Sequence, residues 1–169
     1  MAVADDAPQH AASTTLPTKI HLEVVTRTGV ALRDDVDEVQ APSANGEFGV
    51  LPGHLPLLAA LRSGVLTYRK GGSDVKRAVI GPGFAEAGPD KVLILTEHFV
   101  PEDDIDPAAT RKSLEDERAV VQKLEGEGIS TGARYGEHQA RIDWCEAQLA
   151  LVELWPPGRR GGSRGGESH

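Results

Sequence analysis

Hydrophobic and polar positions alternate along the first part of the chain and change period in the last third. In KIHLEVV, Ile20, Leu22 and Val24 alternate with His21 and Glu23, the period of a half-buried strand. GVLTYRK, DVKRAVIG and KVLILTEH have the same strand character and are separated by turn signals. Asn45-Gly46 is a hairpin-type turn dipeptide, and Gly71-Gly72 and Gly88-Pro89-Asp90 mark further reversals. Short strands at regular spacing predict an antiparallel β-sandwich, or flattened barrel, over residues 18–101.

From residue 102 the period becomes helical. Asp106-Pro107 is a helix start, with Asp as cap and Pro at the first helical position, where its missing N–H costs nothing. The first helix is expected to run to about Leu124, with Leu114, Val121 and Leu124 on one face. GEGIS and Thr131-Gly132 interrupt it, and a second helix is expected over 133–154. There Ile142, Cys145, Leu149 and Val152 follow at spacings of 3, 4 and 3, the seam of a coiled-coil-like contact. The fold class is therefore α+β, a β-sandwich followed by an α-helical hairpin over 102–155. Each helix has a narrow apolar stripe, sufficient to pair with its neighbour or lean on another surface but not to build a core of its own. Residues 1–17, small and polar, read as a disordered extension, and residues 156–169 as a flexible Gly/Arg tail.

Composition narrows the function. Apolar residues make up 39 % of the 169, enough for a core, while aromatics are only 4 %, so Val, Leu, Ile and Ala must supply it. A net charge of −8 opposes nucleic-acid binding, which needs a basic surface against phosphate. Cys145 is the only cysteine, which excludes an internal disulfide framework and favours a reducing compartment. The N-terminus lacks the apolar stretch of a secretory signal. No run approaches the ~20 apolar residues of a membrane-spanning helix, so no direct membrane insertion is expected.

The search for chemistry returns little. The six histidines include no i, i+4 pair, and His138 to Cys145 has the wrong spacing for zinc; no metal site is expected. No Ser lies in Gly-x-Ser-x-Gly, and Cys145 falls on an apolar seam with no basic group to activate it. No catalytic residue is assigned. GPGFAEAG at 81–88 looks like a phosphate loop, but its glycines lead through Pro89-Asp90 into a strand and not into a helix N-terminus. Turn and strand is the better reading, and no Gly-Lys-Ser/Thr is present. Between Glu102 and Glu153 there are thirteen acidic and six basic residues, read first as a solvated face and second as a surface for a charged partner.

One stretch resists this plain account. GEFGVLPGHLPLLAALRSGVL (46–66) sets His54 between Gly53 and a run of leucines. Taken with IHLEVVTRTGV (20–30), Val36-Asp37-Glu38-Val39, GPGFAEAGPDKVLILTE (81–97) and the order of elements, it resembles the epsilon subunit of the rotary ATP synthase of bacteria and chloroplasts. The resemblance implies a non-catalytic rotor subunit without a cofactor, which couples proton-driven rotation of the membrane ring to ATP synthesis by the catalytic head. It implies that Pro52 and Gly53 shape a corner, that the leucines after His54 enter the core, that Glu47 faces the polar loops of the membrane c-ring, that His54 lies near the gamma subunit, and that Gly49, Pro52 and Gly53 belong with Glu47 and His54 to the partner-binding surface. It further implies a hairpin that either folds on the β-domain or extends along gamma, meets the catalytic beta subunits and restrains hydrolysis. The implied location is peripheral, on the cytoplasmic face of the bacterial inner membrane.

The chain departs from the pattern in its hairpin. Some members bind ATP through Ile/Leu-Asp-x-x-Arg-Ala at the first helix; here Ile105-Asp106 is followed by Pro107-Ala108-Ala109-Thr110. The basic positions of the second helix are occupied by Trp144 and Gln148. Without guanidinium partners for phosphate, no tight nucleotide binding is expected. Two other functional classes make different demands. A stand-alone β-sandwich binding module with a helical adaptor predicts a monomer with a ligand groove. A small hydrolase requires a converging acid, base and nucleophile, which the sequence does not supply.

Overall fold

The computed structural model describes residues 15–156. The expectations for residues 1–14 and for the tail beyond Pro156 lie outside the described residues. Ten strands are followed by two helices: β1 (Ile20–Thr26), β2 (Gly29–Val36), β3 (Glu38–Ser43), β4 (Gly46–Val50), β5 (Leu57–Leu61), β6 (Gly64–Lys70), β7 (Asp74–Ile80), β8 (Gly83–Ala87), β9 (Lys91–Thr96), β10 (Phe99–Pro101), α1 (Pro107–Gly126) and α2 (Ala133–Leu154). The strands run in the order β10-β7-β6-β3-β5-β8-β9-β1-β2, with β4 added to β3. This sheet closes on itself into a sandwich around Leu22, Val24, Val36, Val39, Leu66 and Ile94, all fully buried. One ion pair, Lys70 Nζ to Asp34 Oδ1 at 2.7 Å, ties β6 to β2, which lie far apart in the sheet order.

The period-2 reading of the strands is what the structure contains. In β1, Ile20, Leu22 and Val24 point into the core and His21 to solvent. β1 and β9 pair in parallel; the other pairings are antiparallel. The turn at Asn45-Gly46 sits one residue earlier than the dipeptide suggests. Ser43 pairs with Gly46, so Ala44-Asn45 form the two-residue loop and Gly46 alone takes the positive φ, +121°.

GPGFAEAG is indeed turn and strand. Thr96, buried at the end of β9, donates its hydroxyl to the Gly81 carbonyl at 2.9 Å and fixes the turn. At Gly83 a Cβ would come within 1.9 Å of the Leu95 carbonyl oxygen, so glycine is required there by close approach of two backbones.

The hairpin has its own seam. Asp106 caps α1 by accepting the Ala109 N–H at 3.1 Å, as its place before Pro107 predicts. Leu114 and Val121 meet Ile142, Cys145 and Leu149 between the helices. Burial raises the pKa of the Cys145 thiol, which keeps it protonated. Polar ties flank this seam: His138 and Arg141 converge on Glu117, and Arg118 binds Glu146 at 2.8 Å.

The fourth expected seam residue differs. Val152 is only half-buried, whereas its neighbour Leu151 is fully buried. The reason is a second face on α2. Trp144, Gln148, Leu151 and Trp155, spaced 4, 3 and 4, lie on one side of the helix, and α2 packs against β6 and β7. The hairpin is thus folded down on the sandwich.

Candidate docking surface

The outer face of the β5-β8-β9-β1-β2 side of the sandwich carries a row of apolar residues. Ladder register aligns Ala60 with Phe84, Phe84 with Leu95, Leu95 with Val25, and Val25 with Val30. Inward neighbours such as Ala85 and Ile94 are buried, so the row points outward by the pleat. Phe84 is 59 % exposed and Leu95 48 %. One row along, Leu58, Glu86, Leu93, Glu23 and Arg33 align in the same way, and Arg33 Nε donates to Glu23 at 3.0 Å. Beyond that, His21 faces Asp35 at 2.9 Å. The face therefore grades from apolar at one end of the sandwich to charged at the other. A contiguous apolar patch with a polar rim marks an interaction site, while isolated exposed apolar residues do not.

The residues singled out from the sequence fall at two ends of β4. Glu47 is exposed beside the Ala44-Asn45 loop, opposite Pro42. His54 lies past the other end, in the 51–56 segment. Gly53 takes φ +87° and donates its N–H to Pro89 O at 2.7 Å, and His54 N–H donates to Leu51 O at 3.1 Å. The Leu55 carbonyl accepts from His54 Nδ1, so the imidazole is held by its own corner. Pro52 is half-buried in that corner. Gly49 lies within β4 opposite Gln40, where an added Cβ would find only ordinary contacts, the nearest at 3.9 Å. Gly53 and Pro52 thus shape the corner, and Gly49 lies outside it, in β4. Glu47 and His54 do not share one surface.

The leucines after His54 divide evenly, with Leu57 packed against the core and Leu61 within it while Leu55 and Leu58 face out. Leu55 is 80 % exposed and Leu58 73 %, and only Leu61 at the end of β5 is buried. The pleat is the cause: β5 is an alternating strand, so its even-numbered positions, Leu58 and Ala60, face out. Sequence reasoning missed the docking row for a related reason. VLIL in β9 and GFA in β8 are apolar on both faces of their strands, a pattern expected of strands covered on both sides. It was the available signal.

Among the described residues, no three His, Cys, Asp or Glu side chains gather as a metal site, and no helix is long and apolar enough to cross a membrane.

Comparison with known proteins bears on the fold and the family. A family model described as "ATP synthase, Delta/Epsilon chain, beta-sandwich domain" matches residues 19–102, the whole of the strand region. ATP synthase epsilon chain 2 of Syntrophotalea carbinolica is 38 % identical over 143 residues, which cover 85 % of this chain and 96 % of that protein. The epsilon chain of Nitratidesulfovibrio vulgaris is 43 % identical over 132 residues, covering 78 % and 87 %. That of Magnetococcus marinus is 37 % identical over 134 residues, covering 79 % and 94 %. Among solved structures, a chain of the Euglena gracilis mitochondrial ATP synthase, in an OSCP/F1/c-ring assembly, superposes with a TM-score of 0.71. It is 26 % identical, with 87 % of this chain and 90 % of that one covered.

Proposed function

The chain belongs to the ATP synthase delta/epsilon family, and from that premise we propose that it couples rotation of the membrane ring to the catalytic head as part of the central stalk. It is a non-catalytic subunit of the ATP synthase and works within a membrane-associated complex. In this reading the apolar row over Phe84 and Leu95 docks on the gamma subunit, and Glu47, at the exposed hairpin end, meets the polar loops of the c-ring. His54, Pro52 and Gly53 form a second contact toward gamma at the far end of β4. Two ends of one strand suit two partners. The subunit sits on the cytoplasmic face of the bacterial inner membrane, and its hairpin restrains ATP hydrolysis by reaching the catalytic beta subunits when extended.

The observation that carries this reading is the exposed apolar row, which crosses five strands on the side of the sandwich away from the hairpin-bearing β6 and β7. A rotor clamp needs one face for the shaft while another holds the hairpin. The test is co-purification of the tagged chain with gamma and the c-ring from one organism. The expected result is a stoichiometric complex that loses the ring, and keeps gamma, in Glu47→Lys. Recovery of the chain without either partner would contradict the proposal and return the alternative of a stand-alone binding module.

A further inference from the structure

The chain has two tryptophans, Trp144 on the second face of α2 and Trp155 as the residue that ends the helix. Each meets a residue of the β-domain. The Trp144 ring lies 5.2 Å from the His98 ring, tilted by 42°. The Arg77 guanidinium sits over Trp155, 3.8 Å from the ring centroid, the geometry of a cation–π contact. His98 directly precedes β10, and Arg77 belongs to β7, so the two contacts bracket the buried Leu151 at three-turn spacing along the helix. The Glu102 carboxylate, directly after β10, lies 4.0 Å from Arg77 Nη1.

The hairpin core and the sandwich core are separate clusters of buried side chains. The main packing between hairpin and sandwich is this face of α2 against β6 and β7, and the chain through 102–106 links the two.

We propose that the folded hairpin of this chain is fastened by a two-tryptophan latch, Trp144 on His98 and Trp155 on Arg77, and needs no bound ligand to stay down. The latch fills the surface between α2 and the sheet with ring and aliphatic groups. Positions 144 and 148 on this face are Trp and Gln and carry no charge. The hairpin can leave without disturbing its own seam, because the latch residues and the seam residues occupy different sides of α2. This inference concerns the chain alone and does not rest on its docking to gamma or to the ring.

Because both tryptophans belong to the latch, intrinsic fluorescence reports on it directly. The experiment compares the full-length chain with Arg77→Gln/His98→Ala, which leaves both indoles in place, by acrylamide quenching and by hydrogen exchange. In the double variant, quenching is expected to rise at least about two-fold and amides of residues 144–154 to exchange at least about ten-fold faster, a loss of about 1.4 kcal/mol. Strands β1 and β9 keep their protection. Trp155→Ala, at the helix end, makes the same test with minimal disturbance of packing, should the double variant lose β-strand protection as well. Wild-type exchange in α2 for Trp155→Ala would overturn the latch. So would a wild-type chain whose α2 gains protection and whose quenching falls on addition of millimolar Mg-ATP, since the hairpin would then be held by a ligand.

Discussion

Phe84 and Leu95 face each other across β8 and β9, both pointing away from the core and both about half exposed. Two large apolar side chains in register, flanked by Ala60 and Val25, form a surface that water covers at a cost. Their burial against a partner would contribute about 25 cal/mol per Å², while their removal leaves the sandwich core untouched. Phe84→Ser/Leu95→Ser is therefore expected to change stability by no more than about 0.5 kcal/mol per site. Binding of a hydrophobic dye to the free chain should fall markedly. Thermal denaturation and dye titration of the same samples check both halves.

The turn before β8 is held by a buried hydroxyl in addition to the backbone hydrogen bonds of Gly81 to His98 and Glu97 to Pro82. Thr96 donates to Gly81 O, and Thr96→Val keeps the shape but deletes the donor. Loss of the hydrogen bond is expected to cost about 1 kcal/mol, a fall in Tm of about 2–4 °C for a chain of this size. Gly83→Ala is expected to be far worse. Its Cβ would meet the Leu95 carbonyl oxygen at 1.9 Å, and neither strand can move without breaking the ladder, so a cost of about 3 kcal/mol is expected. Urea denaturation separates the two, and equal losses would contradict this account of the turn.

Acid should loosen the sandwich through its carboxylates. Lys70 holds the Asp34 carboxyl below its ordinary range by hydrogen bonding, Lys19 does the same for Asp37, and Arg33 for Glu23. A carboxylate with a depressed folded-state pKa contributes stability that is present above its unfolded pKa and is lost as pH falls through the folded one. Asp34→Asn/Asp37→Asn is thus expected to lower Tm at pH 7 by a few degrees. The gap to wild type should begin to close below about pH 4 and vanish in stronger acid. These pairs lie at the surface, so raised salt should narrow the gap too. A gap that widened in acid would reverse the assigned sign.

The seam thiol gives a probe of the helices. Cys145 is 6 % exposed between Ile142 and Leu149, and burial raises its pKa, so both access and thiolate are scarce. Alkylation of the native chain at pH 8 is expected to be at least about ten-fold slower than in denaturant. A rate equal to that of the unfolded chain would mean that the seam is open in solution.

How much of this was legible follows from where each signal resides. Ile20-Leu22-Val24 declared β1 because alternation is a local consequence of the pleat, and Asp106-Pro107 declared the start of α1 because capping is local as well. The turn at Ala44-Asn45 was displaced by one residue, since only Gly46 tolerates the positive φ and the ladder sets the register. The fate of Leu55 and Leu58 was misjudged because a leucine run does not say which of its members the strand turns outward. Leu151 was passed over for Val152 because a heptad-like seam accounts for one side of a helix, and the second side is defined by a sheet distant in sequence. The two tryptophans, eleven residues apart and hence on one face, were the signal for that second contact. Glu47 and His54 were found by resemblance to a family motif, and only the course of β4 separates them to opposite ends of the domain.

The most direct test of the docking account measures binding of the chain to the gamma subunit for wild type, Leu95→Asp and Ile129→Asp. Both variants place a carboxylate at an exposed apolar site, one on the docking row and one in the connection between α1 and α2. The account predicts that Leu95→Asp weakens binding at least about 30-fold, or 2 kcal/mol, while Ile129→Asp binds as wild type. Equal binding by all three would contradict the assignment of the apolar row as the face that holds the shaft.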